Sequence, residues 1–287
     1  MNNKAILRVA GQLQQGISAS LTQFVYDNGG NIIDFDQYVD LECEPNRYYG
    51  RIEWSMDDFQ IAADDLEQQL VTSIGQKFNA SINLNVVTKP LRLAILVTHD
   101  LPCFYSIVMK SIARDWNAEP TMVVSNHETL KFEAERFQIP FYHLPVTPDT
   151  REAQGKTLLS LLADNSIDLI VLAKYMQIIP ANVIAEYRDR IINIHHSMLP
   201  SFVGARPYHQ AREYGVKFIG ATAHYVTEGL DEGPIIAQGI KSISHKKTSA
   251  ELVNIGKSIE AEVMLRALEL HIDRRIMIAG RRSIIFE

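Results

Sequence analysis

Over residues 5–87 the apolar positions switch repeatedly between a strand period and a helix period. Ala5 to Val9 reads as a short strand. Ile17, Leu21, Phe24 and Val25 share one face of a helix over Gly16 to Asn28, and Asn28-Gly29-Gly30-Asn31 is a stop-and-turn signal. Asn31 to Asp40 alternates, with Ile33, Phe35, Gln37 and Val39 on one side and Ile32, Asp34, Asp36 and Tyr38 on the other. After the Glu44-Pro45-Asn46 turn, Arg47 to Trp54 is a second strand. Ile61, Leu66, Leu70, Val71 and Ile74 mark a helix over Asp57 to Phe78, and Ile82 to Val87 closes the unit as a strand. The order βαββαβ predicts a ferredoxin-like sandwich over residues 1–88.

Lys89-Pro90 marks a boundary, after which the pattern changes. Near-continuous apolar runs appear at Leu91–Val97, Thr121–Val124, Phe141–Leu144, Leu169–Ala173 and Ile191–Ile194. Helical segments lie between and after them near 103–115, 128–137, 151–164 and 180–187. Apolar strands alternating with helices predict a mostly parallel, Rossmann-like α/β sheet covered on both faces, over residues 89–287. Gly204 to Gln210 reads as a loop passing into a helix near 207–214. A β-rich stretch follows at Phe218–Val226 and Pro234–Ile243, then a long helix from Ser249 to about Ile272. The tail, Ile276 to Phe286, is apolar enough to add a strand or dock elsewhere.

The composition is that of an ordinary globular protein: 287 residues, 46% hydrophobic and 22% charged. A formal net charge of −6, with no basic block, argues against a nucleic-acid partner. No stretch reaches the roughly 20 apolar residues of a membrane span, and no signal peptide is evident, so the expected compartment is the cytoplasm. Cys43 and Cys103 match no metal spacing, and two reduced thiols are expected.

The chemistry concentrates in Asn193-Ile194-His195-His196-Ser197-Met198-Leu199-Pro200. If the strand runs through His195, Asn193 and His195 point the same way, because side chains alternate along a strand. An amide that binds a carbonyl oxygen then stands beside an imidazole that moves a proton, which suits reactions at an acyl or formyl carbon. Sites in open parallel sheets form beyond the carboxyl ends of the strands, where this motif falls. A second segment, Thr227-Glu228-Gly229-Leu230-Asp231-Glu232-Gly233-Pro234, is an acidic loop flanked by glycines, with His224 on the strand before it. Nothing in the spacing alone requires the two segments to meet.

The stretch NIHHSMLPSFVGARPYHQA, together with GATAHYVTEGLDEGPIIAQ, resembles the folate-dependent formyltransferases such as glycinamide ribonucleotide formyltransferase, and more closely the formyltetrahydrofolate deformylases. Ser125-Asn126-His127-Glu128, Leu172 to Ile178 and the small N-terminal unit, which resembles an ACT domain, point to the deformylases. The resemblance implies that Asn193, His195 and Asp231 act together. Asn193 and protonated His195 would stabilise the oxyanion, Asp231 would orient water and manage protons, and His224 would buttress Asp231 from behind. It also implies that Tyr175, Met176, Gln177, Ile178 and Ile179 line a pterin pocket and that Ser197 and Gly204 contact substrate. No metal or redox cofactor is implied, 10-formyltetrahydrofolate being the substrate. Pairing of ACT domains implies a homodimer or homotetramer, with methionine or glycine as a possible effector.

Transferases of this kind hold a phosphorylated acceptor in a Gly-rich loop after the first strand. Here that loop is Val97-Thr98-His99-Asp100-Leu101-Pro102-Cys103-Phe104, with no glycine and an acidic side chain. Backbone N–H groups make a poor phosphate cradle there, which leaves water as the expected nucleophile. The alternatives are a formyltransferase acting on an unphosphorylated amine and a non-catalytic folate sensor. Two departures from the deformylase pattern stand out. Pro102 precedes Cys103 where a His is usual, and the turn Gly11-Gln12-Leu13-Gln14-Gln15 before Gly16-Ile17 lacks the Asp common in ACT domains.

Overall fold

The structure is a computed structural model that describes residues 3–147, 151–200 and 207–287. The chain divides into two units. The first contains β1 (Lys4–Gln12), α1 (Ile17–Asp27), β2 (Asn31–Asp40), β3 (Arg47–Ser55), α2 (Ala63–Leu70) and β4 (Ser81–Val87). Its antiparallel sheet has the order β2-β3-β1-β4. The helix faces predicted from Ile17, Leu21, Leu66, Leu70 and Ile74 all pack in one apolar core with Leu7, Val9 and Trp54 of the sheet.

Three details of this unit depart from the sequence pattern. The helix expected from Asp57 begins only at Ala63, because Asp58 takes a left-handed backbone (φ 65°) that no helix continues through. Its last part, Val71–Gln76, widens into a π-helical turn beside β4, where Gly75 passes so close that a Cβ would lie 3.2 Å from Ile82. In β2 the register shifts between Ile32 and Asp34, so Ile33 is a bulge residue. Bulges are common on edge strands such as this one.

The second unit holds β5 (Leu91–Leu96), α3 (Leu101–Ala113), β6 (Ala118–Ser125), α4 (Lys131–Arg136), β7 (Phe141–His143), α5 (Arg151–Asp164), β8 (Leu169–Leu172), α6 (Ala181–Glu186) and β9 (Ile191–His195). After them come α7 (Pro207–Glu213), β10 (Phe218–Tyr225), β11 (Ile235–Ser242) and α8 (Ser249–Ile272). The seven-stranded sheet has the order β11-β10-β9-β8-β5-β6-β7. Strands β5 to β9 are parallel to one another, and at the edge β10 pairs antiparallel with both β9 and β11. The buried runs of β5, β6 and β8 explain why the parallel region reads as continuous apolar sequence. From β5 the chain first builds outward to β6 and β7, then returns to lay β8 and β9 on the other side. The carboxyl ends of β5 and β8 therefore flank the point where strand order reverses, where open α/β sheets form their ligand crevice. Helix α8 begins with a capping box in which Thr248 and Glu251 bond each other's backbone N–H.

The tail forms a hairpin, β12 (Ile276–Ala279) and β13 (Arg282–Ile285). The sequence boundary kept all of it with the second unit. Instead, Arg274–Met277 and Ile284–Glu287 belong to the first. Arg8 Nη1 donates to the Ile276 carbonyl at 2.6 Å, Arg275 pairs with Asp34 at 3.1 Å, and Phe286 is fully buried. Among the described residues no helix is long and apolar enough to cross a membrane.

Candidate active site

Strand β9 does run through His195, so Asn193 and His195 share a face. Across the sheet, antiparallel β10 sets His224 directly opposite Asn193, with Asn193 Nδ2 3.2 Å from His224 Nε2. A register shift in the β10–β11 ladder falls at His224, the kind of bulge that re-aims a side chain at a site.

The acidic loop joins β10 to β11 and brings Asp231 onto this face. Its Oδ2 lies 3.2 Å from His195 Nδ1 and its Oδ1 3.5 Å from His224 Nε2. Two backbone features make that possible. Asp231 adopts φ 56°, a left-handed conformation that Asp tolerates better than most residues. Gly233 passes against the Tyr225 carbonyl so closely that a Cβ would sit 1.7 Å from its oxygen. The Tyr225 N–H also donates to the Pro234 carbonyl at 3.0 Å, closing the loop.

The electrostatics define each partner. Hydrogen bonds from His195, then His224, hold the Asp231 carboxyl well below the usual carboxylate range, against the opposing effect of burial. His224 Nδ1 is 2.8 Å from the Tyr225 carbonyl. A carbonyl only accepts, so Nδ1 carries a proton and Nε2 is turned to Asn193 and Asp231. His195 is buried, and its Nε2 has no hydrogen-bond partner. That nitrogen is the one free to meet a substrate carbonyl while Nδ1 is held by Asp231. His196, next along the chain, has its pKa pushed down to about 4, chiefly by burial and then by His195 and Lys174. It is neutral at ordinary pH.

The remaining residues singled out in the sequence separate into groups. Ser197 is buried, and its carbonyl accepts from Thr222 Oγ1 at 2.8 Å, which fixes the chain leaving the site. The run from Tyr175 to Ile179 divides. Tyr175 and Ile179 are buried in the core beside the sheet, Tyr175 OH accepting from Gln154 at 3.2 Å. Met176 and Ile178 are exposed, and Gln177 is partly so. Any pocket built from this run uses Met176, Gln177, Ile178 and the backbone, rather than the Tyr175 and Ile179 side chains. Gly204 lies outside the described residues.

Sequence reasoning missed a buried charged group on the far side of His196 from His195. Lys174 Nζ is 2.7 Å from Glu260 Oε2 and 3.8 Å from Asp100 Oδ1, and Tyr208 OH donates to Glu260. A signal existed: Glu260 interrupts the buried face of α8 formed by Leu252, Gly256, Ile259 and Val263. A carboxylate among such positions needs a partner. Among the described residues no group of His, Cys, Asp and Glu has the arrangement to hold a metal ion.

A parallel sheet ended by antiparallel strands, with Asn, His and Asp converging at one strand end, defines a class that comparison with known proteins identifies. Residues 91–268 match the family model described as formyl transferase. A protein of Synechocystis named formyltetrahydrofolate deformylase is 39% identical over 285 residues, covering 99% of both chains. One of the same name from Bacillus subtilis is 38% identical, covering 99% of this chain and 94% of its own. The crystal structure of a formyltetrahydrofolate deformylase from Pseudomonas syringae superposes with a TM-score of 0.95 at 32% identity, covering 100% of this chain and 95% of that one. The chain belongs to the formyl transferase family, in its formyltetrahydrofolate deformylase branch.

Proposed function

We propose that this protein hydrolyses 10-formyltetrahydrofolate to formate and tetrahydrofolate. The observation that carries the reading is the convergence of Asn193, His195 and Asp231, with His195 Nε2 left unpartnered in a buried position. It is supported by the deformylase names of relatives that align over nearly the whole chain.

The chemistry follows from the geometry. Water adds to the formyl carbon, and the Asn193 amide and the His195 Nε2–H stabilise the oxygen as it becomes an oxyanion. Collapse of the adduct breaks the carbon–N10 bond, N10 takes a proton and formate leaves. Asp231 is a poor base, because two imidazoles stabilise its ionised form. Its part is to hold His195 and the attacking water in line, and the protons pass through the His195–Asp231 pair. Met176, Gln177, Ile178, Ser197 and Gly204 are the proposed contacts to the folate, and His224 buttresses Asp231.

The test is incubation of purified protein with 10-formyltetrahydrofolate and no acceptor. Formate release carries the reading. Consumption only when an amine is added assigns a transferase, and binding without consumption assigns a sensor. The same reading makes the first unit an ACT-like pairing domain in an even-numbered homo-oligomer and places the enzyme in the cytoplasm, where formate supply for purine synthesis and release of free tetrahydrofolate both fit the chemistry. The antiparallel order β2-β3-β1-β4, with helices on one face, supports the ACT likeness. Titration with methionine and glycine tests the effector role, which fails if neither heat nor rate changes.

A further inference from the structure

The strand order of the second unit reverses between β5 and β8, and open α/β sheets usually receive a ligand in the crevice beyond those two carboxyl ends. Here charged side chains of the protein meet beyond those two strand ends. Lys174 follows β8 and Asp100 follows β5, Glu260 comes from α8, and Tyr208 comes from α7. Glu260 is fully buried, and Lys174 keeps 19% side-chain exposure. Tyr208 reaches Glu260 by lying on Gly256, one helical turn earlier, where a Cβ would be 2.1 Å from its ring. Asp100 occupies the N-cap position of α3 without capping it. It therefore places a carboxylate where a helix N-terminus would otherwise attract a bound anion. His196 stands between the group and the catalytic histidine, its ring 5.0 Å from that of His195 and 6.4 Å from that of Tyr208, centroid to centroid.

Such an assembly has a cost that calls for a function. Burial alone disfavours the Lys174 ammonium, but Glu260 and Asp100 outweigh it and raise its pKa above the ordinary lysine value. Lys174 also holds a left-handed backbone, φ 58°, which a lysine adopts reluctantly. Two buried carboxylates and one ammonium beside a reacting centre are poor material for stability alone.

We propose that Lys174, Glu260, Asp100 and Tyr208 form an acceptor plug, filling the crevice that an amine nucleophile would enter and leaving water as the only nucleophile that reaches the formyl carbon. The inference rests on the hydrolase reading and deepens it, by naming what separates hydrolysis from transfer. With the plug removed, an amine nitrogen attacks the formyl carbon, the carbon–N10 bond breaks, N10 gains the proton the amine loses, and a formyl-amine replaces formate.

The experiment measures formate and N-formylglycinamide separately, with 10-formyltetrahydrofolate as donor, glycinamide as acceptor and the enzyme-free rate subtracted. Lys174→Gly combined with Glu260→Gln opens the space and removes one charge of each sign, leaving Asp100 in place, and glycine suits the left-handed backbone. The expected result is a rise of about tenfold or more in the ratio of formyl-amine to formate over the parent. Lys174→Met with Glu260→Gln removes the same charges but keeps the space filled, and is expected to match the parent. The proposal is overturned if the opened variant is folded, releases formate and shows the parental ratio, or if the filled variant gains transfer equally. If the opened variant does not fold, Asp100→Ala, which opens the crevice from the β5 side, decides by the same ratio. A parent that releases no formate overturns the hydrolase reading itself, a different outcome from an unchanged ratio.

Discussion

Both units of this chain bury charge, and they use it differently. In the first, Arg51 is fully buried on β3 and reaches Asp34 at 2.7 Å and Glu53. Lys4 meets Glu53 at 2.8 Å and Arg275 meets Asp34 at 3.1 Å, so each carboxylate is shared by two cations. In the second, one carboxylate, Asp231, is shared by two imidazoles, and one nitrogen of that group, His195 Nε2, faces no partner. A network in which cations and carboxylates pair across strands holds elements in register. A network with one open valence is arranged for a reacting group that comes and goes.

The comparison breaks most sharply at the two central residues. Asp231→Asn keeps the shape and removes the charge that orients His195. Formate release is expected to fall about a thousandfold or more, with folate affinity by titration little changed. Near-parental turnover would refute the assigned role. The substitution also tests linkage. The folded-state pKa of Asp231 is depressed, so its stabilising contribution is full above the ordinary carboxylate pKa and fades as pH falls through that value toward the depressed one. Urea unfolding at neutral pH and at about pH 3 should show a smaller acid-induced loss in the variant than in the parent.

Arg51→Met removes the fully buried cation of this network and leaves Glu53 only Lys4 and Asp34 only Arg275. The expected cost is about 3 to 5 kcal/mol in denaturant unfolding, with turnover per folded molecule unchanged. A loss below 1 kcal/mol, by the surface-pair standard, would place this network with exposed ion pairs.

Gly233→Ala sharpens the geometry of the open network. Its Cβ would collide with the Tyr225 carbonyl, so the loop must shift and carry Asp231 with it. A displacement of about 1 Å at a catalytic group costs roughly a hundredfold in turnover. The smallest effect is at His196. Burial, with His195 and Lys174, lowers its pKa to about 4, so the folded state resists a proton that the unfolded chain accepts near 6.5. Stability is then full above that ordinary value and is lost as pH falls toward 4. His196→Gln should keep more of its neutral-pH stability at pH 5 than the parent, measured by thermal unfolding.

The two networks were not equally legible in the sequence. Asn193 and His195 could be placed together because a strand has period two and Pro200 follows shortly after. Asp231 announced itself by flanking glycines, whose reason is now visible at Gly233. Arg51 and Glu260 carried no local signal beyond a charge among apolar neighbours, and their partners lie far away in sequence. Periodicity describes one element at a time, whereas burial of an ion is decided by elements that meet only after folding. The same limit explains Tyr175 and Met176. Adjacent residues of one apolar run part between core and surface where the chain leaves β8, and no period holds in such a segment. The bulge at Ile33 and the π-turn before Lys77 are likewise consequences of neighbours rather than of local propensity.

The return of the C-terminal residues to the first unit has a consequence for synthesis. Arg8 finds its carbonyl partner 268 residues later in the chain, and Asp34 waits almost as long for Arg275. While the ribosome makes the second unit, the first lacks the segment that meets Arg8 and Asp34. The first unit gains these contacts only after the whole of the second has been made, so a segment on the far side of one unit finishes the other.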